Sequence, residues 1–415
     1  MKSEFKKVAV VGLGYIGLPT AAVVASRGMQ VIGIDNNKKV VDTINKGEIH
    51  IVEPGLDIVV QASVSAGNLV ASEVPAHADV YLIAVPTPFK EGNEPDVSYV
   101  KSAVMAIAPV LKKNDLIILE STSPVGTTDK MREWLSEARK DLFFASEGVE
   151  SCDIYLAYCP ERVLPGHVLR ELIENDRVIG GINKKSGEVA KRFYKTFVEG
   201  DCILTNSRTA EMTKLTENSF RDVNIAFANE LSLLCDQFDI NVWELIKLAN
   251  RHPRVDILQP GPGVGGHCIS VDPWFLVHQS PKYARIIKTA REVNDYKPEY
   301  VVDKVAAAAS KFKEPTVAFF GLAFKANIDD LRESPAMEIV ESFARKGFGK
   351  LMVVEPNVDY LPSQLTDLRI VKAGIDEALK ESDILVLLVD HSEFRDMNRD
   401  TFVSKIVIDT RGIWK

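Results

Sequence analysis

The sequence predicts an α/β protein built on doubly wound parallel sheets, and three observations predict it. Short apolar runs rich in β-branched residues, Val8–Val11, Val31–Ile34, Val80–Val85 and Leu116–Glu120, alternate with helical patterns in the N-terminal third, as buried parallel strands do. The first run ends in a glycine-rich turn, Gly12-Leu13-Gly14-Tyr15-Ile16-Gly17. The C-terminal hundred residues loosely repeat the plan: Val317–Gly321 parallels the first strand and turn, Leu351–Glu355 the second strand, Asp383–Asp390 the third and Lys405–Asp409 the fourth. The expected organisation is an N-terminal Rossmann-type domain over 1–200, a central helical region over 201–300 and a second Rossmann-like domain over 301–415.

A length of 415 residues exceeds what one hydrophobic core usually supports, so two or three domains are expected. No apolar run approaches the roughly 20 residues needed to cross a bilayer, and a soluble protein is expected. Lys6 and Lys7 precede the apolar Val8–Val11 in the manner of a signal peptide, but the run breaks at Gly12 without a small-residue cleavage site, which favours a strand. The five cysteines (Cys152, Cys159, Cys202, Cys235 and Cys268) form no Cys-x-x-Cys pair and no metal-ligand cluster with the seven histidines. This argues against a disulfide framework or a structural metal and fits a reducing cytoplasm. A net charge of −8 without Lys/Arg blocks leaves no footprint for nucleic acid or an anionic membrane, so an anionic ligand needs a local basic site.

Between the two α/β regions, Thr209–Asn250 lacks Gly and Pro, with Val223, Phe227, Leu231 and Leu234 at spacings of three or four. One long helix is predicted there, offering a natural dimerisation surface.

In the first turn, Gly12 permits the tight bend, Gly14 lets backbone approach a pyrophosphate, and Gly17 allows close helix–strand packing, with Tyr15 and Ile16 between them. Asp35 ends the second strand, where a carboxylate accepts hydrogen bonds from ribose hydroxyls and disfavours a 2′-phosphate. Strand, turn, helix and acid together predict NAD as cofactor. Thr87 and Thr122 follow two further strand ends, as cofactor contacts or as turn and cap residues.

The sharpest local feature is the glycine-rich Pro260–Gly266 followed by His267-Cys268-Ile269-Ser270-Val271-Asp272. Glycines there permit close backbone approach to a ligand. An apolar pattern resumes after Cys268, which places the thiol at a helix N-terminus, where a thiolate is favoured. In a helical turn Cys268 and Asp272 share a face. Cys152, Cys202 and Cys235 read as buried structural cysteines, while Cys159 is undecided. Lys214, Asn218 and Arg221 fall at i, i+4 and i+7 on one stripe, either a solvated face or a site in which Lys214 exchanges a proton or stabilises an oxyanion. The loop Cys159–Gly166 holds Glu161 and Arg162. Singly, this loop, Arg251-His252-Pro253-Arg254, and Lys325 with Arg332 read as surface charge; taken together they could supply the local positive site that a diphosphate requires.

These motifs, together with Thr209–Asn218, Gly265-Gly266-His267-Cys268 with Asp272, and Gly321–Lys325 through Asp330–Ser334, resemble the UDP-glucose/GDP-mannose dehydrogenase family over essentially the whole chain. Ala157–Gly166 and Asn250–Arg254 resemble its N-acetylhexosamine branch, and His267 stands where the glucose branch has a small residue. The resemblance implies a C-terminal UDP-binding domain and a four-electron oxidation of a sugar C6 alcohol by two NAD⁺, the sugar being UDP-N-acetyl-D-mannosamine. Cys268 would form a thiohemiacetal and then a thioester. Lys214 is implied as acid/base and oxyanion partner, Asn218 and Asp272 as water-positioning groups, and Glu161 as a helper in thioester hydrolysis. Arg162, Val163, Lys214, Asn218, Arg221, His252, Arg254, Gly265, Phe324 and Lys325 would contact the UDP-sugar, with His252 and Arg254 reaching in from a partner subunit of a homodimer or higher homo-oligomer. Arg332 would lie near the cofactor. The alternatives are a UDP-glucose or UDP-N-acetylglucosamine 6-dehydrogenase, a two-electron hydroxyacid or sugar-phosphate dehydrogenase, which needs neither Cys268 nor a second α/β domain, and a non-catalytic nucleotide-sugar binder.

Overall fold

The computed structural model describes residues 5–149, 151–164, 166–266 and 268–414. The chain divides into two units, Met1–Glu217 and Asn218–Lys415, with the division inside one long helix.

The first unit is an eight-stranded sheet of β1 (Lys7–Val11), β2 (Gln30–Ile34), β3 (Leu69–Ser72), β4 (Val80–Ile83), β5 (Leu116–Leu119), β6 (Tyr155–Tyr158), β7 (Arg177–Gly181) and β8 (Cys202–Asn206), in the order β3-β2-β1-β4-β5-β6-β7-β8. All neighbours run parallel except β6 and β7. The apolar runs of β4 and β5 are buried at every position, because side chains alternate between the two faces and both faces are covered. Val8, Val10 and Leu82 join one core layer, whereas Ala9, Tyr81, Ile83 and Ile117 join the other. Each fully buried Val or Leu contributes about 1.5–3 kcal/mol relative to exposure.

The second unit holds a five-stranded parallel sheet, β9 (Thr316–Phe320), β10 (Lys350–Val354), β11 (Val371–Lys372), β12 (Ile384–Leu387) and β13 (Ile406–Asp409), ordered β11-β10-β9-β12-β13. The repeat seen in the sequence extends to single hydrogen bonds. Gly12 and Gly321 both adopt φ +91°. Gly12 N donates to Ile34 O at 2.8 Å, and Gly321 N to Val354 O at 2.9 Å. Leu13 N donates to Asp35 Oδ2 at 3.0 Å, and Leu322 N to Glu355 Oε2 at 2.7 Å.

The central region differs from the single helix expected over 209–250. A helix runs from Ser207 to Gln237, the chain turns, and a second helix spans Val242–Ala249. Asp239 takes a positive φ of 54°, and the Asn241 side chain accepts from Trp243 N and Glu244 N at 3.0 and 3.2 Å. That cap satisfies amides a continuing helix would have used, and so starts a new one. A further long helix, Arg285–Ala309, carries Pro298 within it. A buried polar seam joins it to the Ser207–Gln237 helix: Arg291 Nη1 pairs with Asp222 Oδ1 at 2.6 Å, and Asn294 bonds both Asp222 and Asn229. Asn229 Oδ1 also accepts from Gly261 N at 2.9 Å, anchoring the glycine-rich loop to the helix pair.

Candidate active site

In the first unit, the cofactor candidates gather at the C-terminal ends of β1, β2, β4 and β5. A Cβ on Gly12 would lie 2.4 Å from Ala84 O, and one on Gly17 would lie 1.8 Å from Gly12 O. Among the described residues, nothing lies within 4 Å of where a Cβ on Gly14 would sit. The two flanking glycines are thus required by the turn itself, while the middle one leaves open space above it. Tyr15 is exposed and Ile16 half-buried. Asp35 holds the turn through Leu13 N and accepts from Asn37 N at 2.9 Å, and each oxygen keeps lone pairs for a ribose. These residues fit a dinucleotide. The Thr87 hydroxyl donates to Thr122 O at 2.7 Å, which ties the two strand-end loops together.

After β6 the chain forms the loop with Glu161, Arg162 and Val163. Glu161 is buried, its Oε2 2.6 Å from Arg177 Nη1 and its Oε1 accepting from Arg162 N at 2.7 Å. Arg162 pairs with Glu217 at 2.7 Å. Cys159 is fully buried, and burial first of all pushes its thiol up to about 12; its undecided status resolves to an inert core position. Lys214 is half-buried on the long helix.

In the second unit, Cys268 is exposed. Its carbonyl accepts from Asp272 N at 2.9 Å, so the predicted helical turn exists and leads into the helix Asp272–Gln279. Asp272 is 3% exposed, and its Oδ2 accepts a hydrogen bond from Asn218 Nδ2. A Cβ on Gly265 would lie 2.5 Å from Glu333 O, which brings the loop before the cysteine against the segment that follows Phe324 and Lys325. Phe324 is half-buried and Lys325 exposed. Arg332 grips Asp330 with two hydrogen bonds, at 2.7 and 2.8 Å. His252 and Arg254 are exposed, and Arg254 N donates to His252 Nδ1 at 3.3 Å. His267, singled out in the sequence, lies outside the described residues.

Of the two readings of the Lys214–Asn218–Arg221 stripe, the structure speaks against one uniformly solvated face: Asn218 is buried, its Nδ2 donating to Asp272, while Arg221 is exposed. One expectation changes. Cys152 is partly exposed rather than core, unlike Cys202 and Cys235. Sequence reading missed Arg177, whose partner lies 16 positions away, beyond the reach of any local motif.

Glu355, which stands in the second Rossmann-like turn where Asp35 stands in the first, is engaged by its own chain. Its Oε2 accepts from Leu322 N, Ala323 N and His391 Nε2, and its Oε1 from Asn357 N at 3.0 Å. His391 Nδ1 accepts from Asn327 N at 2.9 Å, so Nε2 carries the hydrogen it gives to Glu355. Burial acts the other way, but these bonds hold the Glu355 carboxyl below the ordinary range.

Three models of one family cover the chain: the UDP-glucose/GDP-mannose dehydrogenase NAD binding domain at residues 6–198, its central domain at 208–296 and its UDP binding domain at 318–415. The chain belongs to the UDP-glucose/GDP-mannose dehydrogenase family. It is an NAD-dependent dehydrogenase. It is 61% identical over 411 residues to an NDP-N-acetyl-D-galactosaminuronic acid dehydrogenase of Ralstonia nicotianae, covering 99% of this chain and 97% of the relative. It is 61% identical over 420 residues to the UDP-N-acetyl-D-mannosamine dehydrogenase of Escherichia coli K12, covering 99% and 100%. Among solved structures, a UDP-D-ManNAc dehydrogenase from Pyrococcus horikoshii matches with a TM-score of 0.88 and 38% identity, over 99% of this chain and 96% of that one. Among the described residues, no helix is long and apolar enough to cross a membrane.

Proposed function

We propose that the protein oxidises the C6 alcohol of a UDP-N-acetylhexosamine, UDP-N-acetyl-D-mannosamine in particular, to the carboxylate through a thioester on Cys268. The observation that carries this is the exposed thiol in a glycine-rich turn, four residues before a buried Asp272 held by Asn218. A two-electron dehydrogenase has no use for that thiol.

A bound NAD⁺ would be held over Gly14 with its ribose at Asp35 and Arg332 near it, and would supply the hydride acceptor for the two oxidations at C6. In the first, Lys214 exchanges the hydroxyl proton and steadies the oxyanion, giving the aldehyde. The Cys268 thiolate then forms a C–S bond to the aldehyde carbon as the C=O π pair moves to oxygen, which takes the proton back from Lys214. In the second oxidation that O–H proton returns to Lys214 and the remaining C–H hydride leaves to the hydride acceptor, which converts the adduct to a thioester. Water, aligned by Asn218 and Asp272, adds to the acyl carbon; the C–S bond breaks, its electron pair returns to sulfur, and the water proton passes to Glu161. The basic residues Arg162, Arg221, His252, Arg254 and Lys325 neutralise the diphosphate, with His252 and Arg254 supplied by a partner subunit. An exposed apolar face built from Val223, Phe227, Tyr283 and Ile286, with Phe227 52% and Ile286 71% exposed, supports pairing with a second copy. The reading places the protein in the cytoplasm, where its UDP-uronate product feeds surface polysaccharide.

The test is to supply NAD⁺ with the UDP-linked N-acetyl derivatives of mannosamine, glucosamine and galactosamine and with UDP-glucose, and to count NADH per sugar. Two equivalents with the mannosamine derivative are expected; one equivalent would overturn the four-electron reading. The galactosamine derivative belongs in the panel because of the Ralstonia relative's name. Cys268→Ser should retain UDP-sugar binding while producing no carboxylate.

A further inference from the structure

Behind Glu161 lies a buried cluster that the oxidation itself leaves unused. Glu120 follows β5, Cys159 follows β6, Arg177 opens β7, and Tyr194 closes the helix Lys184–Tyr194. The Arg177 guanidinium is held from three sides: Nη1 lies 2.6 Å from Glu161 Oε2, Nη2 donates to Leu172 O at 2.9 Å, and its carbon sits 5.6 Å from the Tyr194 ring centre. Tyr194 in turn donates to Glu120 Oε1 at 2.7 Å. Arg177 and Glu161 expose only 2% and 5% of their side chains, while Arg177 Nε and Glu120 Oε2 are buried with no hydrogen-bond partner among the described residues.

A buried ion pair is a poor way to stabilise a fold, because apolar residues of similar volume do as well or better. Unsatisfied atoms beside it add to the cost. The arrangement makes sense as a means of aiming a carboxylate, since a rigid guanidinium fork fixes direction as well as charge. With Arg177 on Oε2 and Arg162 N on Oε1, Glu161 cannot rotate, yet each oxygen keeps a further lone pair.

We propose that Arg177 is a positioning residue for the last step: it fixes the Glu161 carboxylate in the orientation in which it takes the proton from the water that opens the Cys268 thioester. The water oxygen bonds to the acyl carbon, the C–S bond breaks with its electrons returning to sulfur, and the proton goes to Glu161. This rests on the thioester reading of Cys268 given above.

The experiment uses the full chain with NAD⁺ and UDP-N-acetyl-D-mannosamine, in rapid-mixing and steady-state modes, with intact-mass detection of the acyl group on Cys268. Arg177→Met and Arg177→Lys should release the first two NADH per site at the parental rate. Turnover should then slow about ten- to a hundredfold, short of the about 10²–10⁴-fold expected for losing a general base outright. Acyl-enzyme should accumulate and KM should not rise. In a Glu161→Gln background, adding Arg177→Met should change turnover by less than about twofold, because the two residues act as one unit. Should Arg177→Met fail to fold, Arg177→Lys, which keeps the charge and loses the fork, carries the same expectation. Equal slowing of the NADH burst and of turnover, or full multiplication of the two effects in the double variant, would overturn the proposal. Acyl-enzyme accumulating in Glu161→Gln but in neither Arg177 variant would remove this inference alone. No acyl-enzyme in Glu161→Gln would remove the hydrolytic role of Glu161, and the inference with it.

Discussion

Replacing Glu120 with glutamine should stabilise the protein at pH 8 and leave it nearly unchanged at pH 4.5. Glu120 is fully buried; that burial, reinforced by the charge of Glu161, pushes its carboxyl up to about 7 from the ordinary 4.5, with the Tyr194 hydrogen bond and Arg177 opposing only in part. The folded value lies above the unfolded one, so the native state keeps a proton that the unfolded chain has released. Stability therefore falls as pH rises from about 4.5 to about 7, and the loss persists above that. At 1.36 kcal/mol per unit, the ionised carboxylate costs roughly 3 kcal/mol at pH 8. Glutamine cannot ionise and can still accept from Tyr194 through its carbonyl oxygen. Its amide takes the place of Oε2, which has no partner among the described residues to lose. For a unit of this size, roughly 3 kcal/mol corresponds to a gain in Tm of about 6–12 °C at pH 8, measured by calorimetry or circular dichroism on both proteins across pH 4.5–8. A Tm difference that stays constant over that range, or a glutamine variant that is less stable at pH 8, would refute the reasoning.

Gly14→Ala and Gly17→Ala should separate binding from folding. Open space above Gly14 admits the methyl group, so Tm should hold while KM for NAD⁺ rises about tenfold or more as the pyrophosphate loses its close approach. At Gly17 the methyl would meet Gly12 O, and thermal melting should show a loss of about 1–3 kcal/mol or more, as overpacking does. Phe227→Glu, on the exposed apolar face, should shift sedimentation toward the monomer with little change in the monomer's secondary structure. Unchanged mass would exclude that face as the contact between copies.

Much of the fold was legible because β1, β4 and β5 are covered on both faces, and a continuous apolar run records that directly. β7 escaped notice because it ends in Gly180 and Gly181, where a Cβ would sit 2.6 Å from Asn206 O and 2.3 Å from Asn183 O. Tertiary crowding chose glycine there against strand propensity. β8 escaped because it is an edge strand with Ile203 and Leu204 exposed. At the site, Cys268 and Asp272 were readable since their relation is one helical turn, and the glycine turn since its geometry is local. Arg177 with Glu161, and Arg291 with Asp222 across 69 positions, depend on chain crossings that no spacing rule encodes. The break before Asn241 went unread because the expectation of one helix rested on the lack of Gly and Pro, whereas the turn is made by Asp239 at positive φ and the Asn241 cap.

The two glycine turns of this chain share a backbone and differ in the direction of one carboxylate's allegiance. Asp35 lends two contacts to its own chain and stays half-exposed, so it remains a receptor for something outside the protein. Glu355, one methylene longer and 1% exposed, is saturated by backbone amides and an imidazole. It has become internal scaffolding for the segment that carries Phe324 and Lys325. Two turns of the same backbone thus differ in what they leave to offer: the acid of the first keeps capacity for an outside partner, while that of the second spends it on Leu322, Ala323, Asn357 and His391.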